Sequence, residues 1–178
     1  MVNAVDIGRK MPVVIGIDPG KSGAVVALDL DRLPVRSWIT KDEFTVLTGK
    51  SKRSYVEGAM GKALSALHGS EGIVLAVLEK QQAMPKQGIS STFQTGLGFG
   101  LWRGVLGALE IPTVVIHSKT WQRQVCRDLP GDTKKRAILA CFHQLPSLDL
   151  TPGRRTKPFD GIADAACMAL YGLATVGR

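Results

Sequence analysis

Long apolar runs are missing from this chain, and no stretch approaches the ~20 apolar residues that a membrane-spanning helix needs. Met1–Lys10 likewise lacks an apolar core of the kind a secretory signal requires, so the protein is expected to stay inside a cell. Cysteine is scarce. Cys126, Cys141 and Cys167 lie far apart, form no CxxC pair and have no histidine at zinc-ligand spacing. This argues against a structural zinc, and the odd count argues against a disulfide framework; the three read as small apolar residues. Internal repeats and low-complexity segments are also absent.

Acid is in short supply, and unevenly so. The net charge is +8, yet residues 1–48 hold six Lys/Arg against six Asp/Glu, while residues 49–178 hold seventeen against nine. The excess falls in Lys50-Ser51-Lys52-Arg53, in Lys134, Lys135 and Arg136, and in Arg154, Arg155 and Lys157. Clusters of this kind neutralise closely spaced phosphates, although any one alone also fits a solvated surface. Nucleic acid is the expected partner and a membrane is not. With 178 residues and 44% hydrophobic content the chain can bury a real core but not two, so one domain over 1–178 is expected, with residues 1–11 as a flexible extension.

Val13–Ile17 and Ala24–Leu28 are β-branched apolar runs joined through Asp18-Pro19-Gly20, a hairpin pattern. A third strand fits Val35–Ile39, a Gly/Lys/Ser loop residues 48–54, and a helix Val56–Leu67. Ile73–Leu78 is apolar throughout, as a strand covered on both faces should be. Residues 80–95 read as a long loop, followed by a helix over 97–109, a strand over Thr113–Ile116, and helices over Ser118–Cys126, Thr133–Gln144 and Asp160–Leu173. The layout is α/β, with a five-stranded mixed sheet flanked by helices.

Four carboxylates interrupt apolar surroundings: Asp18 and Glu79 end strands, and Asp160 and Asp164 open the last helix. Positions 160 and 164 project from one helical face. Asp164 precedes Ala165-Ala166-Cys167-Met168-Ala169-Leu170, where an unpaired carboxylate would be costly without a cation. Asp18 and Glu79 offer oxygens to the same point if their strands are neighbours. An oxygen-only ligand set suits Mg2+, with Mn2+ as substitute, and two such ions about 4 Å apart can drive phosphodiester hydrolysis. Taken singly, Asp160 also fits a helix cap, Asp18 a turn residue and Glu79 a solvent-facing strand end.

Ile17-Asp18-Pro19-Gly20 with Ser22-Gly23-Ala24, Val77-Leu78-Glu79-Lys80-Gln81, and Asp160-Gly161-Ile162-Ala163-Asp164-Ala165 together resemble the acidic motifs of RuvC-type Holliday-junction resolvases. Gly98–Gly104, Ser118-Lys119-Thr120-Trp121 and Ala169-Leu170-Tyr171-Gly172 extend the likeness toward the chloroplast-type resolvases and their phage or bacterial relatives. The resemblance implies an RNase H-like fold, magnesium dependence, a homodimer, branched DNA as substrate, and Asp18, Glu79, Asp160 and Asp164 as metal ligands. The acidic pair is spaced by four, as in the chloroplast-type proteins, but no transit peptide precedes the first strand; a bacterial or phage-infected cytoplasm is the implied setting.

Lys119, near a strand end, is a candidate for contact with the scissile phosphate. The loop Gln81–Thr95 follows the second acid, where the family's loops enter the junction, and its Met84, Lys86, Gln87 and Phe93 are candidates for DNA contact. Phe99 and Trp102 fit the core, and His117 and His143 fit structural roles. Glycines 98, 100, 104 and 107 mark the 97–109 helix either for a dimer contact or for packing within the monomer. Three other functions fit less well. Asp18–Gly23 between two strands also resembles the phosphate hairpin of actin-type phosphotransferases, but those need two such domains and a nucleotide, and one copy is present. A silent junction-binding module would be expected to lack one or more of the four acids. A nuclease acting on other branched DNA or on RNA–DNA hybrid uses the same carboxylates.

Overall fold

The structure, a computed structural model, describes residues 10–83 and 87–177. Strands β1 (Val13–Ile17), β2 (Ala24–Asp29) and β3 (Pro34–Ile39) form an antiparallel meander. Strands β4 (Thr45–Leu47) and β5 (Arg53–Tyr55) pair as a separate small hairpin after the short helix α1 (Thr40–Glu43). Helix α2 (Glu57–Ser70) leads to β6 (Ile73–Glu79), and α3 (Ile89–Ala108) leads to β7 (Thr113–Ile116). Helices α4 (Ser118–Val125), α5 (Thr133–Gln144) and α6 (Asp160–Val176) complete the chain. The main sheet runs β3-β2-β1-β6-β7, and β6 lies parallel to both β1 and β7. Five strands in mixed orientation, flanked by helices, match the expected architecture.

Strand alternation sorts the core into two layers. From β1, Val13, Ile15 and Ile17 face Met60, Leu64, Trp102 and Leu106 of α2 and α3. Val14 faces the other way, into a layer with Val77 and with Ile162, Ala165, Cys167 and Ala169 of α6, backed by α4 and α5. Because both faces are covered, β1 and β2 are buried at every position, which is why their sequence is apolar without alternation. Gly16 is where α6 crosses β1: a Cβ there would stand 1.9 Å from the carbonyl oxygen of Ala165 and 2.6 Å from the backbone nitrogen of Ala169. No bulkier residue lets the helix lie so close to the strand.

Two stretches differ from the sequence expectation. Helix α3 begins at Ile89, so residues 89–95 are helix where loop is predicted. Its buried residues are Gly98, Trp102 and Leu106, and the first two turns extend beyond the core with Ile89 and Phe93 exposed. Unpacked turns show no apolar periodicity, and the periodic signal starts only where the helix meets the core. The β4–β5 hairpin occupies part of the predicted loop; its three-residue strands are too short for an alternating pattern to show. Among the described residues no helix is long and apolar enough to cross a membrane. Cys126, Cys141 and Cys167 are all free and buried in the same core layer.

Candidate active site

Asp18 follows the last residue of β1, and Glu79 is the last residue of β6. The two strands are parallel neighbours in register Ile17 to Leu78, so the two carboxylates emerge side by side at the carboxyl edge of the central strands. Helix α6 crosses beneath them and brings Asp160 and Asp164 from its first two turns to the same edge. Asp160 does not cap the helix: Phe159 is the N-cap residue, and the one backbone N–H bonded to the Asp160 carboxylate among the described residues is that of the adjacent Gly161, at 3.1 Å.

Three of the acids are held by local structure. The Asp18 carboxylate accepts from Gly20 N–H at 3.2 Å and lies over Gly23, where a Cβ would sit 2.6 Å from its Cγ. Glu79 accepts from the Trp121 indole N–H (3.4 Å) and the Gln81 amide (3.2 Å). Trp121 itself is fully buried, so α4 fixes its position. Lys134, at the start of α5, places its ammonium 2.5 Å from Asp160 Oδ2.

The electrostatics show a crowded negative charge. Burial is the main cause that raises Asp18 above the usual carboxylate range, with the charge of Asp160 adding to it and the Gly20 hydrogen bond opposing it. Burial and the charge of Asp18 push Glu79 up to about 7 against the two hydrogen bonds it accepts. Asp164 rises to about 8 through burial, then through Asp18, Glu79 and Asp160 in turn. Lys134 is raised by its bond to Asp160. One ammonium therefore faces four mutually repelling carboxylates, a deficit of positive charge that a hard divalent cation with oxygen ligands would relieve. The donor chemistry fits such an ion. The spacing is more open: among the described residues no three His, Cys, Asp or Glu side chains stand close enough together to hold one.

The remaining predicted residues scatter. Lys119 is exposed on α4 and makes neither hydrogen bond nor ion pair with the four acids. Lys134 belongs by sequence with the DNA-contacting cluster yet reaches Asp160, whereas Lys135 is exposed. Arg136 is half-buried and donates to the Cys126 carbonyl, and Arg155 donates to Asp42 at 2.8 Å and lies over the Phe159 ring, so both tie the protein to itself. Arg154 and Lys157 are exposed in the loop before Asp160. Gln87 bonds Ser91 and Thr95 at the start of α3; Met84 and Lys86 lie outside the described residues. Trp102 is fully buried and Phe99 packs against the core, as expected. His117 and His143 are exposed, and His68 accepts from Ile73 N–H at 3.0 Å. Trp121 is the site residue that the carboxylate pattern could not locate; only its place in Ser118-Lys119-Thr120-Trp121 hinted at it.

No sequence profile of a known family matches this chain, and no curated protein matches it in sequence. Its fold does match solved structures. Thermus thermophilus RuvC in complex with a Holliday junction substrate superposes with a TM-score of 0.61 at 14% identity, over 93% of this chain and 95% of that one. The yeast mitochondrial Holliday junction resolvase superposes with a TM-score of 0.57 at 14% identity, over 97% of this chain and 83% of that one. The chain thus shares the RNase H-like α/β fold of the RuvC-type resolvases.

Proposed function

We propose that this protein is a metal-dependent, structure-selective endonuclease that resolves four-way DNA junctions. The observation that carries the reading is the meeting of Asp18, Glu79, Asp160 and Asp164 at one sheet edge, in a fold whose solved examples include a RuvC bound to a junction substrate. Asp18, Glu79, Asp160 and Asp164 would hold Mg2+ or Mn2+, two ions per site, which when bound activates water and stabilises the leaving oxygen. Lys134 and the Trp121 indole orient Asp160 and Glu79. Exposed Lys135, Arg154 and Lys157 supply positive charge around the acids for phosphate contact.

Cleavage of a panel of four-way junctions, flaps, forks, linear duplex and RNA–DNA hybrid tests the substrate. Paired cuts in the junction with Mg2+ or Mn2+, binding without turnover in Ca2+, and no cleavage in excess chelator are the expected results. Selective cutting of flap or hybrid would move the reading to another nuclease of the same chemistry.

A junction cut on two opposing strands needs two sites, and each chain supplies one, so we infer a two-fold dimer. Helix α3 supports this: Ile89, Phe93 and Leu97 are exposed, and a Cβ at Gly100, Gly104 or Gly107 would meet nothing within 4 Å. Gly98 is different, since a Cβ there would stand 2.3 Å from the Tyr55 hydroxyl and 2.6 Å from the Pro19 carbonyl, so it serves packing inside the monomer. Sedimentation should find two chains per junction; a single bound chain that only nicks would overturn the resolvase reading.

A further inference from the structure

A groove of about 840 Å³ opens between the β4–β5 hairpin, the turn joining β1 to β2, and the first turns of α3. Lys21, Lys41, Lys52 and Arg53 line one side, Ser90 and Ser91 line the other, and no carboxylate lines it. Neither ion pair found among the described residues involves any of these four cations. Two of them brace the walls. The Lys21 ammonium donates to the Arg53 carbonyl and sits 5.4 Å from the centre of the Tyr55 ring, joining turn to hairpin. The Arg53 guanidinium donates to the Lys41 carbonyl at 2.9 Å and to Thr45 Oγ1 at 3.0 Å, joining hairpin to α1. Lys41 and Lys52 are exposed, and among the described residues nothing engages their ammonium groups.

The wall of this groove borders Asp18. Gly20, which lines it, donates its N–H to Asp18, and Tyr55, which also lines it, donates its hydroxyl to the Pro19 carbonyl at 3.2 Å. Tyr55 feels the charge of Asp18 directly: burial and then that charge push its hydroxyl up to about 12. A strand whose scissile phosphate reaches Asp18 has this wall beside it. Phosphates approaching four carboxylates are repelled, and a flanking basic groove offsets that repulsion.

Resting on the proposed nuclease function, we propose that this groove binds the sugar–phosphate backbone of the cleaved DNA strand next to the scissile phosphate, with Lys41 and Lys52 as its phosphate contacts. Of the three basic segments read from sequence, only Lys50-Ser51-Lys52-Arg53 contributes, through Ser51, Lys52 and Arg53; the β1–β2 turn, α1 and α3 supply the rest, from residues up to 75 positions apart.

The test is a junction-binding titration across salt concentrations with the wild type, the double variant Lys41→Gln/Lys52→Gln and its conservative partner Lys41→Arg/Lys52→Arg. Each phosphate contact contributes about 0.7 to 0.9 to the log–log slope, so losing two should lower it by about 1.4 to 1.8 and shrink the affinity lost between 50 and 200 mM salt about tenfold. The arginine variant should keep the wild-type slope. Neutral methylphosphonates placed singly along the cleaved strand should weaken wild-type binding at two adjacent positions beside the cut and have no effect there on the glutamine variant. An unchanged slope and an unchanged interference pattern in a glutamine variant overturn the groove while leaving the nuclease reading intact. A wild type that binds no branched DNA overturns both.

Discussion

At Asp164 a carboxylate is kept among apolar neighbours at a level where it holds its proton up to about pH 8. Replacing it with asparagine keeps the shape and removes the charge. Cleavage by Asp164→Asn should therefore fall about a hundredfold or more, since even indirect partners of a metal site cost up to that much. Thermal stability without metal at pH 8 should stay level or rise, because a buried charge with three like-charged neighbours has been removed. A variant that cuts at the original rate would show that α6 does not supply the site. Trp121 makes a finer test. Its indole N–H favours the ionised form of Glu79, so Trp121→Phe should raise the Glu79 pKa further and move the rise of activity with pH toward the alkaline side. A pH–rate profile superimposable on wild type would mean that the 3.4 Å contact has no influence on the acid.

Helix α6 brings two of the four acids, and its tightest backbone contact is with β1 at Gly16. Because a Cβ on Gly16 would stand 1.9 Å from the Ala165 carbonyl oxygen, a Gly16→Ala protein has to push α6 away from β1. Overpacking of a core costs about 1–3 kcal/mol, and here the obstacle is backbone and cannot rotate aside. Thermal melting should show that loss. Because Asp164 lies one position before Ala165, activity should fall further than the lost folded fraction explains. A variant of normal stability would mean that the helix can shift without penalty.

For the molecule as a whole, the crowded acids set a pH dependence. Asp164 and Glu79 have values of about 8 and about 7 against ordinary values of 3.8 and 4.5, so the folded chain holds protons that the unfolded chain releases. Stability from these two groups is full below about pH 4 and is lost as pH rises through 7 to 8. In chelator the melting temperature should fall between about pH 5 and pH 8.5. Added Mg2+ should restore most at the upper end, where the ion no longer competes with protons for the carboxylates. A melting temperature that rises over this interval in chelator, or one equally insensitive to Mg2+ at both ends, would contradict a clustered acidic site.

The apolar runs at 13–17, 24–28 and 73–78 determined three adjacent strands of the sheet by themselves, because a strand buried on both faces has no polar position to hide the signal. The four acids were equally legible, since each breaks an apolar context and the 160/164 spacing is a property of any helix. Their convergence depended on β1 and β6 being parallel neighbours and on the glycine that lets α6 approach, which are pairings between distant segments. Tertiary structure alone decided the rest. It turned Lys134 from the DNA cluster toward Asp160, spent Arg136 and Arg155 inside the protein, and seated Trp121 on Glu79. It also extended α3 to Ile89 and set the β4–β5 hairpin beside Asp18. Local sequence records what a residue prefers when its neighbours along the chain are known. A long side chain's partner, or the end of a helix that leaves the core, is chosen by whatever the fold places within reach.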